Sequence, residues 1–176
     1  MIKIGDFMKI YLVRHPQTFR NEDSRPTGWE DTQYTTRGWR EFDKIVGFFS
    51  KNKKIKQIFS SDLPRVLKLA KEISKNTSSE MHITKRLREM NFKQTKPEKE
   101  FETHKEFENR IERFIKKYDS LLKEDSVIVS HAGVIRELIK DIVNKKELKE
   151  TTNCPRNIIF VIERHKNEDK LKKLEL

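Results

Sequence analysis

Apolar residues fall at two spacings along this chain. Met8 to Val13 is a short run of β-prone side chains ending in Arg14-His15-Pro16. It predicts a strand that stops at the histidine, because the residue before a proline is pushed toward extended geometry. Phe19 to Gln33 is polar, contains Pro26 and Gly28 and has no period, which predicts a loop. Beyond it Trp39, Phe42, Ile45, Val46 and Phe49 recur at helical spacing. An amphipathic helix should therefore run from a cap at Thr35 or Thr36 to about Ser50. Ile55 to Ser60 predicts a second strand, and Asp62 begins a helix through about Lys75 with Leu63, Val66, Leu67, Ala70 and Ile73 apolar.

Met81 to Thr84 predicts a short third strand, followed by a loop through Glu102. Phe107, Ile111, Phe114, Ile115, Tyr118, Leu121 and Leu122 then define the clearest helix. Val127 to Val129 predicts a buried strand that runs into Ser130-His131-Ala132-Gly133, and Val134 to Val143 continues as a helix with a broad apolar face. Ile158 to Ile162 is a further strand, and Leu171 to Leu174 an edge strand. This alternation implies an α/β fold of three layers, a mostly parallel sheet with helices on both faces. In such sheets ligands bind beyond the carboxyl ends of the strands. Three predicted strands end in polar groups: Arg14-His15, Ser60-Ser61-Asp62 with Arg65 one turn on, and Ser130-His131.

A length of 176 residues predicts one domain, 1–176. Charged residues make up 38% of it, but the eleven Phe and the Ile/Leu/Val runs are clustered, so a core can form. Lys+Arg number 39 against 28 Asp+Glu, a formal charge of +11. Such a balance marks a nucleic-acid surface or draws small anions toward a cleft. The basic residues are spread along all segments rather than gathered in one arm, so specific nucleic-acid binding is not expected. No apolar stretch approaches the ~20 residues of a spanning helix, and Met1 to Met8 lacks a run like a signal peptide's, so no membrane partner and a cytoplasmic location are expected. The single cysteine, Cys154, excludes an internal disulfide and a multi-cysteine zinc site. Beside Pro155 in a loop it reads as an inert thiol, and His82, His104 and His165 lack metal-ligand spacing and read as surface residues.

Two histidines at strand ends with arginines at 14 and 65 are the ingredients of a phosphate site. Guanidinium forks match phosphate oxygens, and an imidazole can hold a phosphoryl group covalently. These residues lie in ordered motifs. Leu12-Val13-Arg14-His15-Pro16-Gln17-Thr18, with Asn21 after it, resembles the Arg-His-Gly-Glu/Gln-Thr signature of the histidine phosphatase superfamily, which includes the phosphoglycerate mutases and many phosphomonoesterases. Thr35 to Gly38 resembles the family's Thr-x-x-Gly step, and Ser60-Ser61-Asp62-Leu63-Pro64-Arg65 its Ser-Ser-x-Leu-x-Arg segment. Leu87-Arg88-Glu89 resembles its Leu-x-Glu stretch, and Val127 to Arg136 its second-histidine motif. The resemblance spans Met8 to about Glu163 and implies a phosphoglycerate mutase-like fold.

By this resemblance His15 is the nucleophile that becomes phosphohistidine, and Arg14, Arg65 and His131 bind the phosphoryl oxygens, with His131 also stabilising charge in transfer. Glu89 protonates the leaving oxygen and then activates water, with Glu98, Glu100 and Glu102 as alternatives. Asn21 and the backbone N–H of Ala132 complete the phosphate pocket. No metal or other cofactor is implied, since arginine and histidine supply the positive charge.

Two departures stand out. Pro16 replaces the usual glycine and removes one N–H. Only Lys93 to Glu102 separates the acid loop from the long helix, where larger members insert a cover, so a shortened cap and an open pocket are expected. The implied function is a metal-independent phosphomonoesterase acting on a small phosphorylated metabolite through phosphohistidine, as a monomer or homodimer. Glu89-Met90-Asn91-Phe92 resembles small-metabolite phosphatases such as the α-ribazole phosphatases, whereas the compact size resembles phosphohistidine protein phosphatases. A phosphoglycerate mutase and a non-catalytic phosphate- or nucleic-acid-binding relative are the other readings.

Overall fold

The apolar runs become strands whose alternate residues face two separate cores. The structure is a computed structural model and describes residues 8–24, 26–51, 54–91, 101–143, 154–165 and 169–176. Its strands are β1 (Met8–Arg14), β2 (Gln57–Ser60), β3 (Glu80–Ile83), β4 (Ser126–Ser130), β5 (Ile158–Arg164) and β6 (Asp169–Glu175). They form one sheet in the order β3-β2-β4-β1-β5-β6. β3, β2, β4 and β1 are mutually parallel, β5 is antiparallel to β1 and β6 to β5, so only β5 is reversed. The expected edge strand at Leu171 to Leu174 is the middle of β6.

The helices are α1 (Phe19–Glu22), α2 (Thr36–Ser50), α3 (Pro64–Thr77), α4 (His104–Tyr118) and α5 (Ala132–Ile142). Tyr11, Val13, Ile58, Val127, Val129, Ile159 and Val161 pack with Phe42, Ile45 and Phe49 of α2 and Val66, Leu69 and Ile73 of α3. The intervening strand residues Ile10, Leu12, Phe59, Ile128, Phe160 and Ile162 pack with Phe107, Ile111 and Phe114 of α4 and Val134, Ile135, Leu138 and Ile139 of α5. The period of two in the strands thus divides the apolar residues between two helical layers.

Connectivity locates the crevice. α2 follows β1 on one face and leads to β2, whereas α5 follows the neighbouring β4 on the opposite face and leads to β5. The chain therefore leaves two adjacent strands in opposite directions, which opens a cleft at their carboxyl ends. Register brings those ends level: Arg14 pairs with Ser130 and Ser60 with Val129. His15 N–H donates to the Ser130 carbonyl at 3.0 Å, and Ser61 N–H to that of Val129 at 3.4 Å, so pairing continues one residue past β1 and β2.

Local chemistry moves several boundaries. Phe19 to Gln33, expected to be a loop, begins with the single turn α1, because the Asn21 carboxamide oxygen accepts from Thr18 N–H at 3.2 Å and from its hydroxyl at 2.9 Å. Such a bond leaves no apolar period to read. α3 begins at Pro64 rather than Asp62, proline being suited to the first helical position, while Asp62 receives the Arg88 guanidinium at 2.7 and 2.5 Å. α4 starts three residues before Phe107 because Thr103 and Glu106 form a capping box. It ends at Tyr118, and Leu121–Lys123 is a separate 3-10 turn.

His82 is on the edge strand β3 but half-buried rather than free at the surface. Its ring stacks on Phe59 at 4.9 Å and its Nε2 bonds Gln57 Oε1 at 2.7 Å. The expected open pocket and shortened cap involve residues 92–100, which lie outside the described residues, as do Glu98 and Glu100. Among the described residues no helix is long and apolar enough to cross a membrane.

Candidate active site

His15 follows β1, and its N–H bond to Ser130 ties it to the strand that delivers His131. The two rings meet edge to face with centroids 5.2 Å apart. His15 is 4% exposed, and its Nδ1 bonds the Pro16 carbonyl at 2.8 Å. A carbonyl only accepts, so Nδ1 carries the hydrogen and Nε2 keeps its lone pair. Burial, followed by the charges of Arg65 and Arg14, holds the His15 pKa well below its usual value, so the ring stays neutral. The residue that removes a backbone donor, Pro16, supplies the carbonyl that sets this tautomer.

Gly38 keeps that loop against α2. A Cβ there would stand 2.0 Å from the Gln17 carbonyl oxygen, which itself accepts from Thr35 N–H at 3.2 Å. The Thr35 hydroxyl caps α2 by accepting from Gly38 N–H at 3.0 Å. The Thr-x-x-Gly step is therefore a close-approach device.

Arg65, in the first turn of α3, is 2% exposed and fastened on several sides. Its Nη1 donates to the Glu30 carbonyl at 2.7 Å and its Nη2 to that of Gly28 at 2.6 Å. Nη2 also lies 3.3 Å from His131 Nδ1. Arginine has only donors, so His131 Nδ1 accepts and its Nε2–H is left to donate to the Ser61 hydroxyl at 3.2 Å. The Tyr34 hydroxyl donates to the Arg65 carbonyl. Burial lowers the Arg65 pKa to about 10, opposed by the Glu89 carboxylate. His131 is held neutral by the same burial and by Arg65.

Arg14 Nη1 donates to the carbonyl of Cys154 at 2.8 Å, a residue held at φ 35°. The Cys154 thiol is buried and its pKa is pushed up to about 11, so it is not a nucleophile near neutrality.

Glu89 follows the 3-10 turn Lys85–Leu87. Its carboxylate accepts from Met90 N–H at 3.0 Å and from Gly133 N–H, in the first turn of α5, at 3.2 Å. Arg110 of α4 braces this loop, donating to the carbonyls of Arg86 at 2.7 Å, Arg88 at 2.9 Å and Glu89 at 3.4 Å. Its remaining donors fork onto Glu102 at 2.6 Å each, so Glu102 is committed to a structural ion pair rather than poised as an acid. Trp29 Nε1 donates to the Glu89 carbonyl at 2.7 Å.

A cleft of about 360 Å³ is lined by Arg14, His15, Asn21, Arg65 and Glu89, joined by Ser24, Pro26, Thr27 and Arg156. His131, wholly buried, and Ala132, the first residue of α5, are not among its lining residues. Asn21 spends its carboxamide oxygen on Thr18, which leaves its NH2 as the donor for an anion. Five buried side-chain nitrogen or oxygen atoms among the described residues lack a hydrogen-bond partner. Four of them, Nε of Arg14, Arg65 and Arg156 and Oγ1 of Thr27, belong to residues of this cleft. A buried donor without a partner costs about 1–3 kcal/mol, so their concentration here suits the cleft to an anion.

Thr27 and Arg156 had no motif to reveal them. The one available signal was that Arg156 stands just before the strand β5, beside the loop that meets Arg14.

The model of the histidine phosphatase superfamily (branch 1) matches residues 10–98 and 93–175. A Hydrogenobacter thermophilus protein named "Putative phosphoserine phosphatase 2" is 29% identical over 157 residues, 74% of this chain and 76% of that one. The α-ribazole phosphatase of Shigella flexneri superposes with a TM-score of 0.80 at 20% identity, over 96% of each chain. A mycobacterial glucosyl-3-phosphoglycerate phosphatase, in a complex with VO3, gives 0.77 at 16% identity over 96% of this chain and 99% of that one. The latter two carry the fold, and the family match carries the motifs with it. Paired strand-end histidines, arginines and a carboxylate around one anion cleft agree with that match along almost the whole sequence: this chain belongs to the histidine phosphatase superfamily, branch 1, and is a phosphatase of that family.

Proposed function

We propose that the chain is a phosphomonoesterase for small phosphorylated metabolites and works through a phosphohistidine on His15. The observation that carries this reading is the neutral His15 ring with Nδ1 committed to Pro16, beside a cleft in which four buried polar atoms lack partners. Nε2 attacks phosphorus as the ester P–O bond breaks, and Glu89 gives a proton to the departing alkoxide. Arg14, Arg65 and Asn21, which line the cleft, take the charge on the equatorial oxygens. His131 holds Arg65 and stands against His15, so it stabilises the transferring group from behind. Water then attacks phosphorus, Glu89 accepts its proton, the P–N bond breaks and His15 returns neutral. In this scheme the residues supply the positive charge, and the chemistry asks for no metal.

The first test is chemical trapping. After a quench during turnover of a radiolabelled phosphomonoester, the wild type should carry acid-labile, base-stable label, and His15→Ala should carry none and lose turnover. A variant with near-normal turnover removes covalent catalysis through His15.

A further inference from the structure

Arg156 occupies the turn before β5 and makes no hydrogen bond or ion pair to any described residue. It lines the catalytic cleft and also an adjoining cavity of about 230 Å³, whose wall adds Arg37, Arg40, Glu41 and Lys44. The cavity is predominantly basic. Its one side-chain carboxylate among the lining residues, Glu41, is already engaged, accepting from Gln17 N–H at 2.8 Å and from Arg37 Nε at 3.1 Å, and Lys44 Nζ donates to the Leu176 carbonyl at 3.4 Å. Burial and the like charge of Arg14 lower the Arg156 pKa to about 10, and Glu41 offsets this only in part. Arg14 and Arg65 already provide for a phosphoryl group, each anchored by the protein with Nε left over. Any part of a substrate that extends from the phosphate cleft into the adjoining cavity passes the Arg156 guanidinium.

We infer that Arg156 receives a second anionic group, a carboxylate or a phosphate, on the alcohol portion of the substrate, so that the enzyme selects phosphomonoesters bearing two anions. This rests on the phosphomonoesterase reading above and names its substrate class. A guanidinium whose donors are not taken by any described residue matches either oxyanion, and the neighbouring cations raise the local concentration of such molecules.

The test compares matched pairs that differ only in the second anion. For the carboxylate arm these are phosphoglycolate and ethyl phosphate, and for the phosphate arm propane-1,3-diol bisphosphate and propyl phosphate. In the wild type kcat/KM should favour the doubly anionic member of at least one pair by about 10- to 100-fold, the scale of charge-assisted hydrogen bonds. The favoured pair identifies the source of the anion. Arg156→Gln should bring that ratio close to one, and Arg156→Lys should restore part of it. A wild-type ratio near one for both pairs overturns the inference, as does an equal loss on both members of a pair, which makes Arg156 a ligand of the transferred phosphate. If no monoester is turned over, the phosphomonoesterase reading fails, and the same pairs are titrated calorimetrically. A binding preference abolished by Arg156→Gln then upholds the subsite without the activity, and no preference ends it.

Discussion

A methyl group at Gly133 would lie 2.3 Å from Glu89 Oε1, inside contact distance. The obstructing atom ends a flexible side chain, so Gly133→Ala is expected to push the carboxylate aside rather than disrupt α5. The effect should be chemical more than structural. A misplaced acid forfeits much of the ~10²–10⁴-fold that general acid catalysis contributes, but only where the departing oxygen needs a proton. Release of the alcohol from an alkyl phosphate should therefore slow far more than release of nitrophenolate from its ester, read in a single turnover, with the melting temperature little changed. Equal slowing of both would deny Glu89 the role of acid. Glu89→Gln should give the same asymmetry.

Arg110 acts between elements, since it joins α4 to the loop that carries Glu89. Its guanidinium holds the carbonyls of Arg86, Arg88 and Glu89 and the Glu102 carboxylate in a partly exposed setting. Arg110→Leu is expected to cost about 2 kcal/mol, at the low side of a broken buried pair because water reaches the site. It should also reproduce the leaving-group asymmetry of Gly133→Ala through a mobile acid loop. Arg110→Lys keeps one charge but cannot span all the acceptors, so its rescue should be partial. Urea denaturation measures the first effect and single-turnover release the second. A stability loss with no asymmetry would make Arg110 a brace for α4 alone.

At the scale of the molecule, two buried neutral histidines couple folding to acid. Both have pKa values held well below 6.5, by burial first and then by Arg65. Below about pH 6.5 the unfolded chain takes up protons that the folded chain refuses, so stability rises with pH in that window and is lost as pH falls. With two such groups the slope reaches at most about 2.7 kcal/mol per pH unit. Asp62, lowered chiefly by Arg88, adds acid sensitivity only below its ordinary carboxylate range. Urea midpoints between about pH 7 and about pH 5 in phosphate-free buffer should fall steeply for the wild type and less for His15→Ala. Parallel curves would mean that His15 does not hold its proton-free state.

What the sequence determined by itself follows from short-range periodicity and strand-end chemistry. Alternating apolar residues such as Ile10, Tyr11, Leu12 and Val13 required a strand buried on both faces, and the helical spacing of Phe42, Ile45 and Phe49 required a layer to cover it. Motifs that end strands had to gather at one edge of a parallel sheet, which made Arg14, His15, Arg65 and His131 legible in the sequence, whereas Glu89 was legible only through the family resemblance. Strand order is a long-range property, and only the tertiary structure set β4 beside β1, with the two rings 5.2 Å apart and His131 behind the cleft wall. The remaining residues depend on where loops land. Arg110 reads as one charge among many on an amphipathic helix until the 85–89 segment presents its carbonyls to it. Arg156 reads as a loop arginine until its guanidinium is placed half-buried between two clefts, with no partner among the described residues. A side chain's partner is a fact about distance in space, and sequence spacing carries it only within an element or a motif.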